Sequence, residues 1–433
     1  MILAGVLAVL AGALAALDPA AALCAIAVVL PFDAPAAVKA PVTVFTCEAL
    51  VAGLLAGILI RRIREPDSVA RPAVGALGWL AVLAVAAALS SIHAVDPWAV
   101  VKQVLRWAQL WLAFAVVAQY ARGPAAARLG ACYAGMAVVL AVLGIAEAAA
   151  GPGSALNMPG WVLDENPAVE RAHGPFHPNA FAPYLAVAIL LVVARWRALA
   201  ARMTGWLLGA GAALLATALV LTQSRTGWVA AGTAIAVWAA VRSRRPLRLL
   251  LPVLALLAVA GLAAALAPPV RARVLSIASP WQAPSFQFRL RAFRIGLDMW
   301  AEHPLTGVGA GNYGPAFERM RARIPPDMHP ALRAHVHDFF LQTGLETGIL
   351  GLAAWLGALG WLAAWFWRAR ARAREGAALG LGLLALFVAG NTLEITTMHA
   401  RGIMFAIGWG IAAAMIPSVP ARGLARRGNR VLS

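Results

Sequence analysis

The chain has 433 residues, of which 62% are hydrophobic and only 12% charged, and its mean hydropathy is +0.78. That composition cannot clothe a soluble domain, so most of the chain must face lipid or other apolar helices. The net charge of +18 is carried by arginines in short clusters between apolar runs, a pattern that argues against a nucleic-acid face and for loops touching anionic membrane lipids.

In chain order, runs long enough to cross a bilayer lie at 2–31, 44–60, 73–92, 98–120, 129–149, 177–194, 204–222, 226–241, 248–267, 340–366, 376–393 and 401–417. They predict an all-α polytopic membrane protein of about twelve transmembrane helices. Helices 1–9 fall within 1–267, one large loop covers 268–339, helices 10–12 fall within 340–417, and a basic tail covers 418–433.

The first run is divided by Asp18-Pro19, which allows one broken span or a re-entrant hairpin, and it is counted as one crossing. The N-terminus lacks a basic region and a small-residue cleavage site, which argues against a cleaved signal peptide. Most tryptophans sit at the ends of the apolar runs, where an amphipathic ring rests at headgroup level. Cys24, Cys47 and Cys132 lie in or beside apolar stretches without metal-ligand spacing and read as small hydrophobes.

Orientation follows from the arginines of the short loops. Arg61, Arg62, Arg64 and Arg71; Arg122 and Arg128; Arg195, Arg197 and Arg202; Arg242, Arg244, Arg245 and Arg248; Arg368, Arg370, Arg372 and Arg374; and the tail all fall on one side, which is then cytoplasmic. Both termini are expected there. The alternate connections, including the one from Glu394 to His399 and the long 268–339 loop, are then periplasmic.

Three polar clusters fall on that periplasmic face. The first is Leu221 to Trp228, with Arg225 at a junction of two spans; an arginine there commonly snorkels to headgroups. The second is Arg171 to Tyr184, with His177 and Asn179, whose Pro and Asn residues also suit a helix start.

The third is in the long loop. Phe286, Leu290, Phe293, Leu297 and Trp300 recur at three- and four-residue steps and predict an amphipathic helix on the membrane surface, flanked by Arg289, Arg291 and Arg294. His303 to Asn312 is glycine-rich and reads as an anion-binding nest or as a plain turn. The loop ends in His335, His337 and Asp338, where an imidazole is placed to take a proton near neutral pH or simply to begin a helix.

Convergence of these clusters on one face points to an outward-facing site. No paired-carboxylate motif and no nucleophile elbow accompany it, and His335 and His337 lack a third ligand at recognisable spacing, so no metal is expected. For a lipid pyrophosphate the charge-balancing groups would be arginines, with Arg225, Arg289 and Arg291 as candidates.

The set formed by Ser224 to Trp228, the Arg289 to Asn312 stretch, and His337 to Gln342 followed by Glu346 to Gly351 resembles the O-antigen ligase and polymerase superfamily. The resemblance implies a GT-C-like membrane glycosyltransferase fold, a polysaccharide donor carried on undecaprenyl pyrophosphate, a lipid A-core acceptor in the periplasmic leaflet, and no cofactor. It further implies that His337 is the general base and that Arg225 and Arg289 bind the donor pyrophosphate, with Arg291 competing with Arg289. Asn179, His177, His335, Asp338 and Gln342 stand as supporting residues. Direct attack on the anomeric carbon would invert its configuration. Phe288 departs from the small residue expected before the arginine.

Among rival readings, an O-antigen polymerase typically divides its outer mass between two loops, and a protein O-oligosaccharyltransferase often carries a further C-terminal region. A proton-coupled transporter using Glu48, Glu147, Glu346 or Glu394 lacks an inverted repeat in hydropathy. A lipid-binding scaffold without catalysis is the plainest reading.

Overall fold

The computed structural model describes residues 2–33, 35–39, 42–65, 71–151, 172, 177–195, 205–243, 245, 268–278, 281, 284–328, 332, 335–392, 394–395 and 402–417, with isolated positions between 254 and 265. The expected span 248–267 lies almost entirely outside the described residues, as do Arg171, most of the 151–176 connection and the tail 418–433.

Apart from a two-stranded hairpin, β1 (Pro35–Lys39) and β2 (Val42–Phe45), the described elements are helices. Those of the bundle are α1 (Ile2–Leu17), α2 (Pro19–Val29), α3 (Thr46–Arg64), α4 (Arg71–Ser90), α5 (Pro97–Tyr120), α6 (Pro124–Ala150), α7 (Pro178–Ala194), α8 (Gly205–Leu221) and α9 (Arg225–Arg242). The loop region contributes α10 (Pro268–Ala278), α11 (Pro284–Ala301) and α12 (Tyr313–Met320), and the bundle closes with α13 (Phe339–Ala369), α14 (Arg374–Asn391) and α15 (Gly402–Ala414). Among the described residues, four helices are long and apolar enough to cross a membrane: Pro72–His93, Pro97–Tyr120, Pro124–Ala150 and Phe339–Ala369. Shorter apolar helices pack among them, including Pro178–Ala194, Gly205–Leu221 and Gly402–Ala414.

The helices alternate in direction. On α9 and α14, Gly390 lies against Ala230 and Gly382 against Trp238, so the two run antiparallel, and Arg242 closes their far end on Glu375 at 2.6 Å. On α6 and α7, Gly144 receives Phe181. One end of the bundle therefore gathers the starts of α5, α7, α9 and α13 and the end of α14. The other end carries Arg61, Arg62, Arg64, Arg122, Arg128, Arg195, Arg242 and Arg368 to Arg374.

The first run is a hairpin, which corrects the single crossing expected for 2–31. Gly53 of α3 lies on Ala8, Gly57 on Gly12 and Ala15, and Arg61 donates to the Leu17 carbonyl at 3.2 Å, so α1 and α3 are parallel. Between them α2 runs back, and its far end meets the start of α3, where the Cys47 amide donates to Asp33 Oδ1 at 3.0 Å. The cause is local: Asp18 accepts from the amides of Ala20 and Ala21 at 2.9 and 3.1 Å, and Pro19 occupies the first helical position, where its missing N–H costs nothing. A cap in mid-run ends one helix and starts another in a new direction. Ile2 consequently lies at the opposite end of the bundle from Ala414, the close of α15, while the tail 418–433 lies outside the described residues.

Above the bundle, the 268–339 region has a small core of its own, with Ala292, Met299, Tyr313, Phe317, Leu332 and Val336 among its members. Here α11 turns its small residues toward this core: Ala292 and Met299 are fully buried and Gly296 receives Val336 and Leu341, whereas Leu290 and Leu297 are 40% and 53% exposed on the outer face. Small side chains allow the helix to approach α13 closely.

Candidate active site

The site grows around Glu394, a residue just beyond α14. Asn179 Nδ2 donates to its Oε2 at 2.8 Å, Arg289 Nη2 approaches the same oxygen at 3.5 Å, and His337 Nδ1 faces Oε1 at 3.6 Å. Burial pushes the Glu394 carboxyl up, but the hydrogen bond and charge of His337, with His335 and Arg289, outweigh it and hold the group well below the usual carboxylate range.

Each partner is delivered by a different element. His337 sits in the turn before α13 with φ 61, a left-handed conformation uncommon for a residue with a Cβ. Asp338, next to it, accepts from the Leu341 amide at 2.7 Å and caps α13, and burial pushes its carboxyl up to about 6. Asn179 opens α7, capped by His177, whose Nδ1 accepts the Asn179 amide at 3.2 Å. The His335 and His337 rings stand 4.2 Å apart, and Phe288 is edge-on to His337 at 5.5 Å.

Two nitrogens in this cluster, His337 Nε2 and Arg289 Nε, are buried without a hydrogen-bond partner among the described residues. Buried polar atoms are ordinarily paired, so unpaired ones beside an ion pair mark a place where a ligand completes the set.

The two candidate arginines of α11 separate cleanly. Arg291 pairs with Asp327 at 2.6 Å on the surface, both side chains more than half exposed, while Arg289 points to Glu394. Positions two apart on a helix are rotated by about 200°, so only one can face the site. Arg225 occupies the first turn of α9, capped by Ser224, and its Nη1 donates to Ser276 Oγ at 3.0 Å, tying α9 to α10. Gly227 of the same turn rests on Ala182, one turn along α7 from Asn179, which sets Arg225 at the same end of the bundle.

Gln342 links Val336 and Glu346: its Oε1 accepts the Val336 amide at 3.3 Å and its Nε2 donates to Glu346 Oε1 at 3.0 Å. The glycine-rich stretch is no anion nest. Helix α13 breaks at Gly348 (φ 65), and the amides of Val308 and Gly309 donate to the carbonyls of Leu345 and Glu346 at 3.0 and 2.9 Å. Ala310 and Gly311 donate to Ser90 Oγ and Glu346 Oε2 at 2.9 and 2.8 Å. Consecutive amides that would cradle an anion are thus engaged in holding a kinked helix.

Sequence reading missed Glu394 as a partner of His337 and saw it in an arginine-poor connection and among the acids of the transporter reading. No local motif marks it; the usable signal was that an acid stands where a span meets the polar face. The expectation that the histidine pair lacks a third ligand is likewise corrected, since ligand atoms of His335, His337 and Glu394 lie within 4.8 Å of one another. Arg289 on the same carboxylate opposes a second cation there, and the cluster is described better as a carboxylate bridging a guanidinium and an imidazole.

The apolar bundle with this polar end is a multi-pass membrane protein. Residues 210–356 match the family model described as O-antigen ligase, so over that segment the chain is similar to that family. No curated protein matches the chain. The matched segment contains Arg225, Arg289, His335 and His337, while His177, Asn179 and Glu394 reach the site from outside it.

Proposed function

We propose that the chain is an O-antigen ligase of GT-C-like architecture with about twelve or thirteen membrane crossings, transferring a polysaccharide from undecaprenyl pyrophosphate to a sugar hydroxyl of lipid A-core. The arginine-rich end of the bundle is cytoplasmic and the Glu394 end periplasmic, in keeping with the bias of short loops. The observation that carries the reading is the pair of buried, partnerless nitrogens, one on an imidazole and one on a guanidinium, beside a single shared carboxylate.

In this reading His337 Nε2 removes the proton from the acceptor hydroxyl as its oxygen attacks the anomeric carbon, and the sugar–phosphate C–O bond breaks with inversion. Glu394, facing Nδ1, stabilises the imidazolium that forms; unit charges 4 Å apart at an effective dielectric near 20 attract by about 4 kcal/mol. Arg289 and Arg225 offset the charge of the departing pyrophosphate, a task suited to a guanidinium fork. With a good leaving group and fixed positive charge, no metal or cofactor is called for.

Purified protein in nanodiscs, given the lipid-linked polysaccharide with lipid A-core, a peptide or a second lipid-linked glycan, tests the assignment. Transfer to lipid A-core that survives EDTA is expected. Product on the glycan would make the chain a polymerase and product on the peptide a protein glycosyltransferase; strict dependence on added Mg²⁺ would refute the metal-free mechanism.

A further inference from the structure

His177 and His335 lie far apart in sequence, yet they occupy equivalent places. Each stands two residues before a side chain that reaches Glu394. His177 Nδ1 accepts the amide of Asn179 at 3.2 Å, and His335 Nδ1 accepts the amide of His337 at 3.2 Å. Asn179 then bonds Glu394 Oε2 and His337 faces Oε1. Such a side-chain-to-backbone turn is ordinarily made by Asp or Asn, whose short oxygen reaches the amide two residues on.

At His337 the turn holds a left-handed backbone, φ 61, which a residue with a Cβ keeps only when its surroundings impose it. The Asn179 turn opens α7 with His177 as its cap.

We propose that His335 and His177 are positioning residues, a pair of imidazole-closed turns that aim His337 and Asn179 at the two oxygens of one carboxylate. The inference rests on the reading of His337 as the base. Each acts by holding the backbone of its neighbour.

Asparagine presents Oδ1 where histidine presents Nδ1, whereas glutamine places its polar atoms one bond further out. In full-length protein in nanodiscs, hydrogen exchange of the peptide containing the His337 amide should stay slow in His335→Asn. It should quicken by about tenfold or more in His335→Gln, as expected for loss of a single closing hydrogen bond in a turn. In the transfer assay His335→Asn should exceed His335→Gln in kcat by about tenfold, with KM for the donor little changed.

Equal exchange in the Asn and Gln variants would overturn the proposal. Should His335→Gln fail to reach the membrane, His177→Asn and His177→Gln, read at the Asn179 amide, carry the same test. A wild-type protein that transfers no polysaccharide but shows the Asn-versus-Gln exchange difference would sink the ligase reading and leave the two turns standing.

Discussion

The glycine-rich crossing of residues 303–312 and the cluster around Glu394 are both polar, both at the same end of the bundle, and opposite in character. In the first, consecutive backbone amides find carbonyl, hydroxyl and carboxylate partners, and Gly348 allows the helix to break because a Cβ there would strike the Leu305 carbonyl. In the second, charged side chains share one carboxylate while two of their nitrogens stay unpartnered. A saturated network rigidifies; an unsaturated one is ready for a ligand. The more motif-like segment is therefore scaffold, and the chemistry sits where residues of little local pattern converge.

The largest expected effect that separates the two regions is on turnover. His337→Ala should lower transfer by about 10²- to 10⁴-fold, the usual contribution of a general base, in protein that still reaches the membrane. Retained activity would move the chemistry away from the Glu394 cluster.

Gly348→Ala should act on the other region and through stability. A Cβ forced into φ 65 against the Leu305 backbone should cost about 3 kcal/mol or more, read as a lower Tm and poor recovery of folded protein. A variant that folds normally but loses donor binding would return the glycine-rich stretch to the active site.

Arg289→Lys should reduce kcat/KM about tenfold or more, because an ammonium lacks the planar fork. Arg291→Ala, which breaks only an exposed pair with Asp327, should stay within about 1 kcal/mol in stability and leave transfer nearly unaltered. Reversal of that order would assign the donor to the outer face of α11.

The smallest effect concerns the cap beside the base. Burial raises Asp338 from 3.8 to about 6, so the native state binds this proton more readily than the unfolded chain does. Its contribution to stability is full below 3.8 and is lost as pH rises through about 6. Asp338→Asn keeps a good cap without the charge and should flatten Tm across that window, whereas Asp338→Ala should cost about 1 kcal/mol. Tm measured between pH 4 and 7 distinguishes them.

Much of the fold was legible because burial in lipid demands long apolar runs, and the arginine clusters of the described short connections do gather at one end of the bundle. The turn at Asp18-Pro19 was visible as a break but not as a reversal, since a cap ends a helix without stating where the next one points. On α11 the periodicity of Phe286, Leu290 and Leu297 marked an apolar stripe but not the approach of Gly296 to Leu341 of α13, because hydrophobic spacing reports size and polarity and is silent about how closely a glycine lets a neighbour approach.

The sequence by itself determined that the chain is an apolar helical membrane protein, that one face collects Arg, His and Asn, and that its segments resemble a known superfamily. The first two follow from composition, run length and local spacing, and the last is a likeness of motifs. Only the tertiary structure decided that Arg289 and not Arg291 turns inward, that the glycine stretch braces a kink, and that Glu394 joins His337 to Asn179 and Arg289. Those facts depend on the rotation of helices about their axes and on contacts between residues remote in the chain, which no local pattern encodes.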